Sequence, residues 1–531
     1  MAFLKKYTWE NYLFFGLLLL NALPLFMSSN FITLDGGAHA YNTNIISQLL
    51  FDSKSIYHNY YEFNPEPVPN WFTHILLVVF KSVMPYFLAE KLVVLIYFVL
   101  TPLFFRKTIL LINPNNRVLS YLIFPFTHFL MLYLGFFNFC YGIMFSFIGI
   151  YFWTKNFGEF NLKKWAIMFA ICVATYFSHI FPFVVLVMYC MSSLFCSYIK
   201  EHGSSFKSLL IKLWSYFLKP LTVFVILLLP ILYLLKNYFA NRPTHGKEVF
   251  LEPMELTKMF YKIKPLQVYD DSELKYTKYI FLWIGLMAVV VGITVLISYL
   301  KKRVSFRAEF LKHNFLFLAL VLTGLLFLVP DDDGYGGFIS LRIVLFIWYF
   351  FMFWFAVQNM NRIFQYVLVL GVLALQFPLL MKRSNGIKWT ASNFRYIEKI
   401  EKLIEPNSTV VQVFSDDGNW LGHHLSNYIG ANKPIVVLDN YEASKEYFPL
   451  VWKDDYIPNL TIGKTDMFQT CIYWKTNPYN PETKPVDYVV MIGSKIGDEC
   501  FEKTRELLNK EGEITYSNEK VVLYKIKKQA K

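Results

Sequence analysis

The chain has 531 residues, of which 55% are hydrophobic and 19% aromatic, with only 17% charged. That balance, with a positive mean hydropathy, excludes an ordinary soluble domain. The net charge of +13 forms no basic strip with interleaved aromatics, which argues against a nucleic-acid partner.

The first apolar run, 11–29, follows Lys5 and Lys6. No small-x-small cleavage site comes after it; the stretch ends Leu25-Phe26-Met27-Ser28-Ser29-Asn30 and reads as a retained anchor. Asp35 lies a few residues further on, in Thr33-Leu34-Asp35-Gly36-Gly37-Ala38-His39, at the start of a long loop. Residues 70–84 are apolar but short, and they carry His74 and Lys81, so they read as a helix lying on the outer surface. Further spans are predicted at 88–105, 118–133, 137–153, 163–179, 181–199, 214–235, 279–300, 312–329, 341–357 and 362–380. Together with the first run they make about eleven transmembrane helices.

Basic residues gather on alternate connections: Arg106, Lys107 and Arg117; Lys155, Lys163 and Lys164; Lys200, Lys207 and Lys212; Lys301, Lys302, Arg303, Arg307 and Lys312; and Arg362. The positive-inside rule makes that side cytoplasmic, along with the amino terminus. The loops 30–87 and 237–278 then lie outside, and the second is long enough to serve as a lid.

After residue 382 the composition turns polar and mixed. Short β-rich runs occupy Thr409–Phe414, Pro434–Asp439, Asp487–Ile492 and Val521–Ile526, with helical patterns at Asn393–Ile404 and Gly497–Asn509. The alternation predicts a small α/β domain with a partly parallel sheet. The expected fold class is therefore an α-helical polytopic membrane protein, residues 1–382, carrying a C-terminal extracytoplasmic α/β domain, residues 383–531. Cys140, Cys172, Cys190 and Cys196 lie in spans and read as small packing residues, while Cys471 and Cys500 share the exported domain and could form a disulfide.

Charged groups at a membrane boundary are costly unless wet or paired, so they are where function is sought. Asp35 is the lead candidate as a catalytic base; the plain alternative is that it caps a helix beginning near Gly36. His39, four residues on, shares a helical face with Asp35 and could orient the carboxylate, join a metal site or face the polar interface. His179 lies at the outer end of span five, a depth suited to substrate binding or to a structural interfacial role. His128 reads as a hydrogen-bonded core residue. Arg342 sits on the outer side against the positive-inside bias; it could fork onto a phosphate or pair with Asp331-Asp332-Asp333. That triplet, with Gly334, Gly336 and Gly337, reads as a solvated turn more readily than as a cation site. No CxxC, HExxH or Walker-type loop is present, so no metal ligands are assigned, although a divalent metal is compatible with the chain.

An acidic residue ending the first span, followed by a helical segment, resembles the GT-C class of membrane glycosyltransferases. The pattern Pro69-Asn70, an apolar helix, then Ala89-Glu90-Lys91 and a long span is similar to the juxtamembrane helix of protein O-mannosyltransferases and lipid A aminoarabinose transferases. The run Asp487-Tyr488-Val489-Val490-Met491, followed by a helix and the strand Val521-Val522-Leu523-Tyr524, is similar to the tail domains of bacterial GT-C proteins. The resemblance implies a polyprenyl-phosphate-linked sugar as donor, a lipid, glycan or protein as acceptor, and a bacterial inner (plasma) membrane as the location. It also implies inverting transfer, with Asp35 as general base and Arg342 on the donor phosphate. One departure stands out: the turn Leu134-Gly135-Phe136-Phe137-Asn138 lacks the second acidic residue of the metal-dependent members. Either the reaction uses one base without metal, or a second carboxylate comes from elsewhere. A transporter or flippase of lipid-linked glycans would carry charges at mid-membrane or broken helices in paired halves. A polymerase or ligase would rely on arginines in a large outer loop.

Overall fold

In the computed structural model, the described residues are 9–203, 205–240, 247–301, 310–414, 420–453, 486–493 and 499–527. The principal helices in chain order are α1 (Trp9–Ala22), α2 (Gly36–Phe51), α3 (Phe72–Lys81), α4 (Tyr86–Ile112), α5 (Phe137–Asn156), α6 (Ile180–His202), α7 (Lys219–Ala240), α8 (Glu273–Leu300), α9 (Ile339–Val357), α10 (Arg362–Asn393), α11 (Tyr396–Leu403) and α12 (Glu499–Glu511). The chain forms two compact units. One comprises Met1–Phe26, Leu95–Met131 and Phe139–Gly386; the other comprises Met27–Val94, Leu132–Asn138 and Ile387–Lys531.

Eight of the described helices are long and apolar enough to cross a bilayer, and each coincides with an expected span. Two more expected spans, 163–179 and 312–329, are the 17-residue helices Leu162–Ser178 and Phe310–Leu326. The span expected at 118–133 is not one α-helix. It is a tighter 3₁₀ stretch, Pro114–Phe126, kinked at Asn116 and holding Pro125, followed by the single turn Leu130–Tyr133. A 3₁₀ helix rises about 2.0 Å per residue, so such a coil covers more distance with fewer residues than an α-helix. The buried Asn113 and Asn116 side chains donate to the carbonyls at 356–358.

In the first unit, α9 is apolar on every side beyond Arg342 and 83% buried, as suits a central helix. Phe353 packs tilted on Phe105 at 4.4 Å and stacks on Phe315 at 5.0 Å. By contrast, α8 presents Leu282, Leu286, Val289, Ile293 and Leu296 outward along one face. A stripe of that length left uncovered by protein is stable against lipid, as an integral membrane protein requires. Glu10 and Arg106 form a buried two-pronged ion pair at 2.8 and 2.6 Å that ties α1 to α4. The expected lid carries the helix Pro253–Tyr261, whose Phe260 stacks on Trp348 at 5.3 Å.

The second unit is built on a five-stranded sheet of β2 (Thr409–Phe414), β3 (Val436–Val437), β5 (Tyr488–Ile492), β6 (Gly512–Ser517) and β7 (Val521–Ile526), in the order β3-β2-β5-β7-β6. β2 runs parallel to β3 and β5, and β7 antiparallel to β5 and β6, so the sheet is partly parallel. β2 and β5 are buried along their whole length, as central strands covered on both faces should be. A separate antiparallel pair joins β1 (Tyr61–Phe63) to β4 (Leu450–Trp452). The residues after the first span and the tail are thus parts of one unit. α3, at 10 residues, is roughly 15 Å long and too short to cross a bilayer. It is packed inside out: Thr73, His74 and Leu77 are buried while Ile75 and Val79 face outward.

Candidate functional site

Asp35 precedes α2 but does not cap it. Its side chain makes no capping hydrogen bond, leaving the carboxylate for other partners. Its backbone is pinned on both sides: the Asp35 amide donates to the Leu134 carbonyl at 3.0 Å, and its carbonyl accepts the His39 amide at 3.0 Å. The glycines after it are used for close approach. A side chain at Gly37 would collide with the His424 carbonyl, so the first turn of α2 fits beneath the 424–428 segment only without one.

One turn along α2, the His39 ring places Nε2 at 2.8 Å from the Gly135 carbonyl and Nδ1 at 3.2 Å from His74 Nε2. His74 arrives on α3, whose entry is fixed by Asn70 in the left-handed conformation, φ 67°. Asn138 clamps that entry, accepting from the Thr73 amide and donating to the Asn70 carbonyl, both at 2.9 Å. The same carbonyl lies 3.0 Å from His74 Nδ1.

The third member, Glu442, comes from the tail, just beyond β3. Its oxygens lie 3.1 Å from His39 Nδ1 and 3.2 Å from His74 Nε2. Asn42 donates to Glu442 at 2.5 Å, and Asn440 donates to Asn42 at 2.6 Å, so the carboxylate is held from behind. All three members are buried. Tyr441 hydrogen-bonds Asp35, and His424 Nε2 lies 3.9 Å from an Asp35 oxygen.

The electrostatics follow from burial. Burial first, and then the negative charge of Glu442, push the Asp35 pKa well above the carboxylate range, with the Tyr441 hydroxyl opposing. Burial opposes charge on Glu442 as well, yet His39 and His74 bring it net below its ordinary value. Burial lowers His39, with the charge of Glu442 opposing, and it drives His424 down to about 3. The second unit therefore holds one carboxylate of lowered proton affinity beside one of raised proton affinity. Environments that push two carboxylates apart in this way suit different roles.

Of the residues singled out in the sequence, Asp35 and His39 lie in this cluster. His179 and Arg342 lie in the first unit, both near Phe139: the His179 ring is 5.2 Å from the Phe139 ring, and the Arg342 guanidinium 5.6 Å from it. His128 packs on Phe98 at 4.5 Å with Nε2 at 2.7 Å from the Asn21 carbonyl, a core arrangement. Asp331, Asp332 and Asp333 accept backbone amides of Ser340, Gly334, and Tyr335 with Gly336, which makes the triplet a turn-forming element. The Cys471–Cys500 pairing involves Cys471, outside the described residues, and carries no structural account. Sequence reasoning passed over His74, His424, Tyr441 and Glu442. For Glu442 the one signal was indirect: the absence of an acid from the 134–138 turn left a second carboxylate from elsewhere as one of two alternatives.

No family model and no curated protein matches the sequence. Among solved structures, the fold is similar to that of ArnT from Cupriavidus metallidurans bound to undecaprenyl phosphate. The likeness has 10% identity and a TM-score of 0.46, over 96% of this chain and 97% of that one.

Proposed function

We propose that the protein is a membrane glycosyltransferase, moving a sugar from a polyprenyl-phosphate donor to an acceptor at the extracytoplasmic face with inversion. In this reading Asp35 takes the proton of the acceptor hydroxyl as that oxygen bonds to the anomeric carbon. The bond from that carbon to the phosphate oxygen breaks, and the phosphate leaves with the electron pair. Phosphate needs no strong general acid, only positive charge nearby, and we assign that part to Arg342, with His179 also on the substrate.

The observation that carries the reading is the state of Asp35: a buried carboxylate, free of capping duty, with its proton affinity raised beside Glu442. A general base works best with a pKa near the operating pH, and burial supplies the shift.

The test is transfer of label from radiolabelled polyprenyl-phosphate sugars to membrane-extract acceptors by the purified protein. Asp35→Asn should lower the rate by about 10²–10⁴ at equal expression. Because the base acts unprotonated and its pKa is raised, wild-type activity should climb with pH through a limb above the ordinary carboxylate range. Near-wild-type transfer by Asp35→Asn would remove the base assignment, since Asn would serve equally in a purely structural role.

A further inference from the structure

We infer that His39, His74 and Glu442 bind one divalent cation of the zinc type. The argument rests on ligand geometry and is independent of the transfer chemistry.

Both imidazoles turn their outer nitrogen onto a backbone carbonyl: His39 Nε2 onto Gly135 at 2.8 Å, and His74 Nδ1 onto Asn70 at 3.0 Å. A carbonyl only accepts, so each outer nitrogen carries the ring proton. With those protons outward, the inner nitrogens, His39 Nδ1 and His74 Nε2, are the ones left to present lone pairs. They face each other at 3.2 Å and face Glu442 oxygens at 3.1 and 3.2 Å. Three acceptors are thus turned toward one buried point, where lone pairs repel unless something positive sits between them. A single proton bonds well along one of these lines, whereas a metal ion satisfies all three together.

The dimensions agree. Zinc bonds of about 2.0–2.2 Å in a tetrahedron set ligand atoms about 3.3–3.6 Å apart; the two inner nitrogens are 3.2 Å apart, and each has a different Glu442 oxygen, Oε1 at 3.1 Å from His39 and Oε2 at 3.2 Å from His74, so the carboxylate faces the point with both oxygens. Two imidazoles and a carboxylate form a borderline ligand set that favours zinc or a neighbouring transition ion over magnesium or calcium. The outer partners have the form such sites use: carbonyls fix both histidine tautomers, and the Asn440–Asn42 relay orients the carboxylate. Three protein ligands leave a fourth corner for water or a substrate oxygen.

The experiment titrates zinc alone into the purified full-length protein after exhaustive dialysis against chelator, with metal counted by mass spectrometry. One equivalent per chain is expected. Cobalt in its place should give the intense visible bands of a four-coordinate ion. His74→Ala and the double variant His39→Ala/His74→Ala should lose the equivalent and the bands, with helical content by circular dichroism unchanged. X-ray absorption on the wild-type zinc protein, which needs no variant, should show two imidazoles in the first shell. Failure of wild type to take up either metal at one equivalent, retention of the metal by the double variant, or a first shell without imidazole would each overturn the site. Uptake of zinc by a protein without transfer activity would leave the site standing and count against the proposed reaction alone.

Discussion

At Gly135 the backbone is left-handed, φ +86°, and an added Cβ would stand 3.0 Å from the Asp35 Cβ and backbone nitrogen and 2.9 Å from the Thr33 hydroxyl. The carbonyl of the same residue accepts from His39. One glycine therefore sets the position of Asp35, the proposed base, and the tautomer of His39. Gly135→Ala should cost about 10²-fold or more in transfer, because displacement of a reacting group by ~1 Å has that effect. The drop should appear mainly in kcat, with protein still recoverable from membranes; unchanged kcat would show that the site tolerates the shift. Asp35 was legible because an acid directly after a span is conspicuous, and His39 because it falls one helical turn later. Glu442 was not, since Asp439-Asn440-Tyr441-Glu442 reads as an ordinary polar turn after a strand. His74 was hidden by its surroundings, an apolar helix that presents its hydrophobic side chains outward.

At the scale of elements, strands with apolar runs were the most readable: β2 and β7 occupy the residues their β-rich runs predicted. β6 was missed because it alternates Glu513, Thr515 and Ser517 with little burial, and a polar edge strand lacks the apolar run that marks a central one. The 118–133 stretch misled in the other direction. Its hydropathy suits a span, but Asn116 and Pro125 divert the backbone from a regular α-helix. α3 bears on topology. If it lies on the outer surface, cysteines replacing Lys54 and Ser82, both exposed, should react with an impermeant thiol reagent applied from outside, above the labelling of the parent protein. Labelling at position 82 only after permeabilisation would make α3 a crossing and invert every later loop.

At the scale of the molecule, the second unit closes very long loops. Asn42 and Glu442 are 400 residues apart in sequence and 2.5 Å apart in space. Closure entropy grows only logarithmically with loop length, so such a contact is thermodynamically accessible provided the surrounding strands and helices share the cost. A cation on His39, His74 and Glu442 would fasten the same closure, because it binds the folded arrangement and not the open chain. Zinc at about 100 times its Kd should then add about 2.7 kcal/mol to the stability of the second unit. Hydrogen exchange should show slower opening of α2 and of the 424–442 segment with zinc than with chelator, and no change in α9. Equal exchange under both conditions would detach the metal from folding.

A division of the site between residue 39 and residue 442 also places it in time. A ribosome making this chain releases α2 long before the codon for Glu442 is read, and the tail must still join the segments after the first span. Until then the histidines have no carboxylate partner and Asp35 has neither Tyr441 nor Glu442 beside it. If Asp35 is the base we propose, the nascent protein is chemically silent throughout its insertion, and competence arrives in one step, with the last quarter of the chain.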